Sequence, residues 1–255
     1  MKSGINNRFP CANYCIKEDK EVDEWKFYTL KELGKCHEMK NMLCQDRCFV
    51  RARNHKYIGV LVDGIGTTNL NVIGAEMAAQ ITAGYIEEKF DWIVTEDSSV
   101  VASDYLEYIN ENLREMADLY NKPIREFAST VMAFCVDESQ NRYCALHLGD
   151  GIIMYKSNTG QMRVMSFPEI GFYSVRTTLT TTEGAYSRLS IKRGSAESID
   201  QIALMTDGIY RVSPSPQTFE KVFRAVERHI PLEQGIDDQG VVMLCRERID
   251  HKGEK

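Results

Sequence analysis

Long apolar runs are missing from this chain. Nowhere do about 18 apolar residues follow one another, so no segment is suited to cross a bilayer as a helix. The opening stretch, Met1 to Pro10, lacks the apolar centre of a secretory leader, and the expectation is a cytoplasmic location with no membrane partner. No basic run or basic–aromatic patch offsets the formal net charge of -6, which argues against a nucleic-acid partner. Internal repeats are absent, and no linker divides the chain. What is present is ordinary for a globular protein: 43% apolar and 27% charged residues, in a length of 255 that makes one large domain or two small ones.

Histidine is scarce, and no His/Cys cluster competes as a metal site. The eight cysteines stand at 11, 15, 36, 44, 48, 135, 144 and 245. Cys11 with Cys15, and Cys44 with Cys48, share a C-x3-C spacing within the range of zinc ligands. Cys44 and Cys48 fall where a strand is read, however, and residues four apart on a strand are about 13 Å apart, too far to share one ion. Reduced cysteines, several of them in the core, are expected instead.

Residues 1–24 are polar and aperiodic and read as an irregular N-terminal extension. Residues 250–255 read as a charged tail, and 25–249 as the folded domain. Within it, 25–34 reads as an edge strand or short entry segment. The runs 46–51 and 57–62 read as a hairpin turning at Arg53-Asn-His-Lys56. Two amphipathic helices follow. The first carries Leu70, Ile73, Met77, Ile81 and Tyr85 at three- and four-residue steps, with a cap from Thr67, Thr68 or Asn69. The second carries Tyr105, Ile109, Leu113, Met116 and Tyr120 and stops at Asn121-Lys122-Pro123. From 127 the period changes to two, with strands expected at 129–136, 142–148, 152–156, 161–166 and 199–205. Residues 167–196 are the least regular part, a loop or flap with a strand near 186–192, and the run Thr177–Thr182 reads as its β-rich edge. A helix starts at Ser215-Pro216, and a last strand spans 240–246. Consecutive hairpins with segregated helices imply an α+β chain built on antiparallel sheets.

The chemistry concentrates at strand ends. Leu61-Val-Asp63-Gly64 and Leu204-Met-Thr-Asp207-Gly208 share the pattern of apolar strand, aspartate, glycine, and the pair Asp237-Asp238 borders the last strand. Singly, each is an unremarkable turn. Brought together by one sandwich, they would repel one another. A hard divalent cation relieves that repulsion, since Mg²⁺ and Mn²⁺ prefer oxygen ligands. A pair of such ions supports in-line transfer of a phosphoryl group to water.

Five pieces, in order, resemble the metal-dependent protein phosphatases, the type-2C serine/threonine family, in the form its bacterial subgroup takes. They are Gly34-Lys-Cys-His-Glu38 with Cys44-Gln-Asp-Arg47; Val62-Asp-Gly-Ile-Gly66; Ser129-Thr130 with Leu148-Gly-Asp-Gly151; Thr206-Asp-Gly208; and Asp237-Asp-Gln-Gly-Val-Val242. The resemblance covers about 34 to 246. It implies a four-layer α-β-β-α sandwich with two central antiparallel sheets, flanked by helix pairs, and two Mn²⁺ or Mg²⁺ ions at one end. It implies hydrolysis of phosphoserine or phosphothreonine on a phosphoprotein substrate, with a cognate serine/threonine kinase as a further partner. Residue by residue, Asp63 would bridge the two ions, the Gly64 carbonyl would bind one, and Asp207 and Asp237 would complete the other. Asp150, with Asp207, would hold a weaker third ion, and Asp46 would act through a water. His37 stands where many members carry a phosphate-binding arginine, and would contact phosphate or donate a proton to the leaving group.

Four departures accompany the match. Gln45 replaces a glutamate, Thr67-Thr68 replaces Gly-His, Gly240 replaces serine or threonine, and the N-terminal arginine is absent. A catalytically weak or inactive regulatory or binding module on the same fold is therefore the alternative reading. Arg47 and Arg193 are candidate phosphate contacts, with surface ion pairing the preferred role.

Overall fold

The computed structural model describes residues 25–65, 70–169, 177–211 and 215–247. The expected extension 1–24, the tail 250–255, Cys11, Cys15 and the Thr67-Thr68 departure lie outside these residues. The elements in chain order are β1 (Trp25–Glu32), α1 (Lys35–Met39), β2 (Asp46–Arg53), β3 (Lys56–Asp63), α2 (Leu70–Ile93), α3 (Ser98–Tyr120), β4 (Val131–Asp137), β5 (Arg142–Leu148), β6 (Ile152–Ser157), β7 (Met162–Ser166), β8 (Ser190–Ser195), β9 (Ile199–Met205), α4 (Asp207–Tyr210), α5 (Pro216–Glu227) and β10 (Gln239–Arg246). The strands form two five-stranded sheets, β2-β3-β4-β5-β8 and β1-β10-β9-β6-β7, with every pairing antiparallel.

The alternation of side chains explains the layers. On β9, Ile202 and Leu204 face the space between the sheets, while Ala203 and Met205 face outward against Phe219, Val222, Phe223 and Val226 of α5. On β3, Leu61 faces between the sheets, and Ile58, Val60 and Val62 pack under α2 and α3. Strands buried on both faces read as continuous apolar runs. The result is the expected four-layer sandwich. Among the described residues, the second outer layer holds α5 and the single-turn α4 rather than two long helices.

Local chemistry sets the boundaries. The β2–β3 hairpin closes where Arg53 pairs with Lys56, and Asn54 and His55 both have positive φ (50° and 61°), the primed turn that matches strand twist. Asp97 caps α3 by accepting from the Ser99 amide, and Asn121 ends it in the left-handed region at φ 51°. In α3 the buried stripe contains Tyr105, Ile109 and Leu113, as the spacing predicts. In α2 the buried face combines small residues, with Ala75, Ala78, Ala79 and Ala83 fully buried and Leu70, Ile73 and Ile81 packed at its flanks, and large ones toward the C-terminus, where Tyr85, Ile86, Phe90 and Ile93 are buried. Small side chains let this helix lie close to the strands beneath it.

The threonine run differs from its expected role as a β-rich edge. Residues 177–179 have no regular structure and 180–182 form a turn and bend, and the strand expected near 186–192 is β8, which starts at Ser190. Thr180 is fully buried, donates its amide to the Ser129 carbonyl and offers its carbonyl to Asn110. The segment is anchored between α3 and the start of β4, and does not pair as an edge strand.

Candidate metal centre

Antiparallel pairing brings one end of each relevant strand to the same place. Asp63 ends β3 and Asp46 begins β2, and the two are direct register partners. Met205, two residues before Asp207, pairs with Val241 and with Ile152, so the Asp207 turn, the start of β10 and the start of β6 lie side by side. Asp150 sits just before β6, and Asp237 and Asp238 just before β10. Thr130 ties the end of β3 to β4: its amide donates to the Asp63 carbonyl at 2.9 Å, and its Oγ1 accepts from the Asp63 amide at 3.1 Å.

Asp46 is buried, with Oδ2 accepting from the Thr206 hydroxyl at 2.8 Å. A Cβ at position 240 would stand 2.8 Å from that same oxygen and 2.8 Å from Leu61 Cδ1. Gly240, a departure in the sequence, is therefore what leaves room for the Asp46 carboxylate. At Gly64 a Cβ would come within 2.6 Å of the Asn71 carbonyl, so glycine is needed where the first turn of α2 crosses the end of β3. The Gly64 carbonyl takes a long 3.5 Å contact from Asn71 Nδ2.

The carboxylates act on one another. Burial first, then Asp46, Asp207, Asp237 and Asp150, holds half-buried Asp63 well above the usual carboxylate range. Burial also raises Asp46 well above that range, reinforced by Asp238, Asp207 and Asp237 and opposed by the Thr206 hydrogen bond. Asp207 is pushed up to about 6 by burial and then by Asp150, with Arg211 pulling the other way. Such mutual repulsion between hard oxygen donors fits a divalent cation, whose charge would relieve it. Asp63, Asp207, Asp237 and the Gly64 carbonyl could hold such ions. Among the described residues, no three His, Cys, Asp or Glu side chains form a ready-made ion cage.

The two neighbours Asp237 and Asp238 differ sharply. Asp237 is exposed, and its Oδ1 accepts from the Asp238 amide at 2.9 Å. Asp238 is buried and occupied: it accepts from the Gly34 amide at 2.8 Å and the Gln45 amide at 2.6 Å. Its Oδ2 also lies 2.9 Å from His37 Nδ1, off the line of an aligned hydrogen bond. Asp238 thus ties α1 and the strand entry at Gln45 to the front of β10, and sets where His37 stands.

Two arginines singled out in the sequence have backbone roles. Arg47 donates to the Cys44 and Asp46 carbonyls, both at 2.7 Å. Arg193 donates to the Ile93 carbonyl at 2.6 Å and to the Glu96 carbonyl, satisfying the end of α2. Cys36, Cys44, Cys48, Cys135, Cys144 and Cys245 are free thiols, and burial raises that of Cys44.

Arg211 is the residue that sequence reasoning missed. Its Nη1 lies 2.8 Å from Asp207 Oδ2 and its Nη2 lies 2.9 Å from Asp150 Oδ2. The local signal was an arginine four residues after Asp207, a spacing that suits an ion pair. Thr177 was a second omission, since its hydroxyl donates to Asp150 Oδ2 at 2.7 Å.

A protein-family model described as Protein phosphatase 2C matches residues 33–239. Solved structures share the fold. RsbX in complex with magnesium is 13% identical with a TM-score of 0.59, and 89% of this chain and 98% of that chain are covered. The Mycobacterium tuberculosis serine/threonine phosphatase PstP/Ppp is 12% identical with a TM-score of 0.60, covering 88% of this chain and 99% of that one. Stp1 from Staphylococcus aureus, a serine/threonine phosphatase, is 11% identical with a TM-score of 0.56, covering 91% and 100%. At these identities the likeness is one of fold. A search of curated protein sequences finds no match.

Proposed function

The chain belongs to the protein phosphatase 2C family, and on that premise we propose that it is a metal-dependent phosphatase acting on phosphoserine or phosphothreonine in proteins. The observation that carries this reading is the facing pair Asp46 and Asp63, close enough to Asp207 and Asp237 for all four to share one electrostatic neighbourhood. Two Mn²⁺ or Mg²⁺ ions, when bound, supply an acidified water and charge to clamp the phosphate oxygens.

In this reading Asp63, the Gly64 carbonyl, Asp207 and Asp237 would hold the ions. Asp46 acts through a water, and the Thr206 hydroxyl fixes its carboxylate at 2.8 Å. His37, positioned by Asp238 at 2.9 Å, contacts the phosphate or protonates the departing serine or threonine oxygen. Hydrolysis breaks the bond between phosphorus and that oxygen. The attacking water contributes the new oxygen, and one of its protons ends on the alcohol product. The physiological partners are a phosphoprotein and the kinase that modifies it, in the cytoplasm. No helix among the described residues is long and apolar enough to cross a membrane.

The test is hydrolysis of p-nitrophenyl phosphate and of a phosphoserine/phosphothreonine peptide panel, with and without Mn²⁺. Turnover should require the ion and fall by at least about 100-fold in Asp63→Ala and Asp207→Ala. Ion-independent turnover would overturn the metal-dependent reading, and no turnover in protein that is folded and ion-loaded would leave the inactive binding module as the better description.

A further inference from the structure

We infer that Arg211 is a built-in cation, filling the position between Asp150 and Asp207 where a third metal ion would otherwise sit. The inference rests on the metal-centre reading above, and departs from it at one point: Asp150 is removed from the set of ion ligands.

The two contacts use different nitrogens of one guanidinium, Nη1 to Asp207 at 2.8 Å and Nη2 to Asp150 at 2.9 Å. This is a fork spanning two carboxylates, the geometry that arginine offers and lysine does not. Both acids are largely buried, with side chains 11% and 9% exposed for Asp150 and Asp207, whereas Arg211 is 40% exposed. Two such carboxylates need a positive charge nearby, and here it is attached to the chain itself, four residues after Asp207 on the α4 turn. It therefore needs no capture from solution.

The Asp150 side of the bridge is fixed as well. Its Oδ2 accepts from the Thr177 hydroxyl at 2.7 Å as well as from Arg211, and its backbone carbonyl accepts from the Tyr210 hydroxyl. An ion binding through Oδ2 of Asp150 would have to displace both the threonine and the arginine, and one approaching the other oxygen would meet the positive charge of the guanidinium. Arg211 engages Oδ2 of Asp207 as well, and one oxygen of a carboxylate is enough for an ion on the Asp63 side. A single positive charge spread over a guanidinium also neutralises less than a divalent ion would. The chain thus exchanges a concentration-dependent third ion for a permanent, weaker charge.

Counting bound Mn²⁺ by equilibrium dialysis at millimolar ion tests this without reference to turnover. Arg211→Ala should bind one more Mn²⁺ per chain than the unaltered protein. Arg211→Ala combined with Asp150→Asn should lose that extra ion, and Arg211→Lys should not gain it. If Arg211→Ala does not fold by circular dichroism, Arg211→Gln, which keeps part of the polar side chain but not the charge, takes its place. Equal counts in the unaltered protein and the charge-removing variant overturn the inference, as does loss of an ion from the unaltered protein on Asp150→Asn alone. The absolute count in the unaltered protein tests the metal-centre reading separately: a count of zero sinks that reading, while the difference between variants still decides the role of Arg211.

Discussion

At the scale of single residues, the aspartates are placed against their own preference. Asp207 ordinarily titrates near 3.9 but is pushed up to about 6 in the fold. The folded state therefore holds its proton more tightly than the unfolded chain. Stability of ion-free protein is largest below about pH 4 in respect of this group, and falls as pH rises through 6. Asp207→Asn should accordingly be more stable than the unaltered protein near pH 7.5, by up to roughly 3 kcal/mol, with the gain vanishing near pH 4. Urea unfolding after chelation, at several pH values, measures the difference. A variant no more stable at neutral pH would mean that Arg211 already compensates Asp207 in full. Of these residues, Asp63, Asp207, Asp237 and Asp150 were legible because each follows or precedes an apolar strand in a motif. Arg211 was not, because the nearer acid of its pair is local but Asp150 lies 61 positions away. Gly240 was visible only as a departure, and its reason is the space taken by Asp46.

At the scale of elements, periodicity located the helices and strands but showed only part of how α2 packs: Tyr85, Ile86 and Phe90 are buried, as their spacing suggests, and the alanines were overlooked. The large residues at Leu70, Ile73 and Ile81 suggested a bulky contact stripe. The alanines 75, 78, 79 and 83 are fully buried as well, alongside Tyr85, Ile86, Phe90 and Ile93 further along the helix. A pattern of apolar spacing does not distinguish the face that touches the sheet from the shoulders that flank it, since alanine is a weak hydrophobic signal. The close approach predicts that Ala79→Leu is overpacked and loses about 1–3 kcal/mol of unfolding free energy in chemical denaturation. Met77→Leu, on the partly exposed side, should change it far less. An Ala79→Leu protein as stable as the parent would show that α2 lies on the sheet with room to spare. The threonine run 177–182 was misread for a related reason. Its β-branched composition favours strands, but a buried Thr180 bonded to Ser129 makes it an anchored turn.

For the molecule as a whole, the two sheets meet across an apolar layer in which one polar tie is conspicuous. His147 on β5 of one sheet shares a 2.8 Å hydrogen bond with Ser166 on β7 of the other. Burial, then Lys192, lowers its pKa to about 4. The folded state therefore favours the neutral ring. That contribution is complete above about pH 6.5 and is lost as pH falls through 4, a change of up to roughly 3 kcal/mol. Its sign opposes that of Asp207 over the same range, so the comparison to make is between unaltered protein and His147→Gln. The unfolding midpoint of the variant should fall less on acidification. Parallel pH profiles would show that His147 is hydrated in the folded state.

The sequence alone determined what is local. The continuous apolar runs of β3, β9 and β10, the three- and four-residue steps of α3, the Asn54-His55 turn and the order of the aspartate–glycine motifs all depend on neighbours along the chain. Those were enough to expect antiparallel sheets with segregated helices and acids at strand ends, and the family resemblance of the motifs implied two sheets between helix layers. Tertiary structure decided which acids meet. Strand register sets Asp46 opposite Asp63, sheet order brings the Asp207 turn to the starts of β6 and β10, and burial then raises their pKa values together. It also separated Asp237 from Asp238, adjacent in sequence, leaving the first exposed and binding the second to Gly34 and Gln45. Electrostatic energy depends on distance through space, and a chain read in order does not contain those distances.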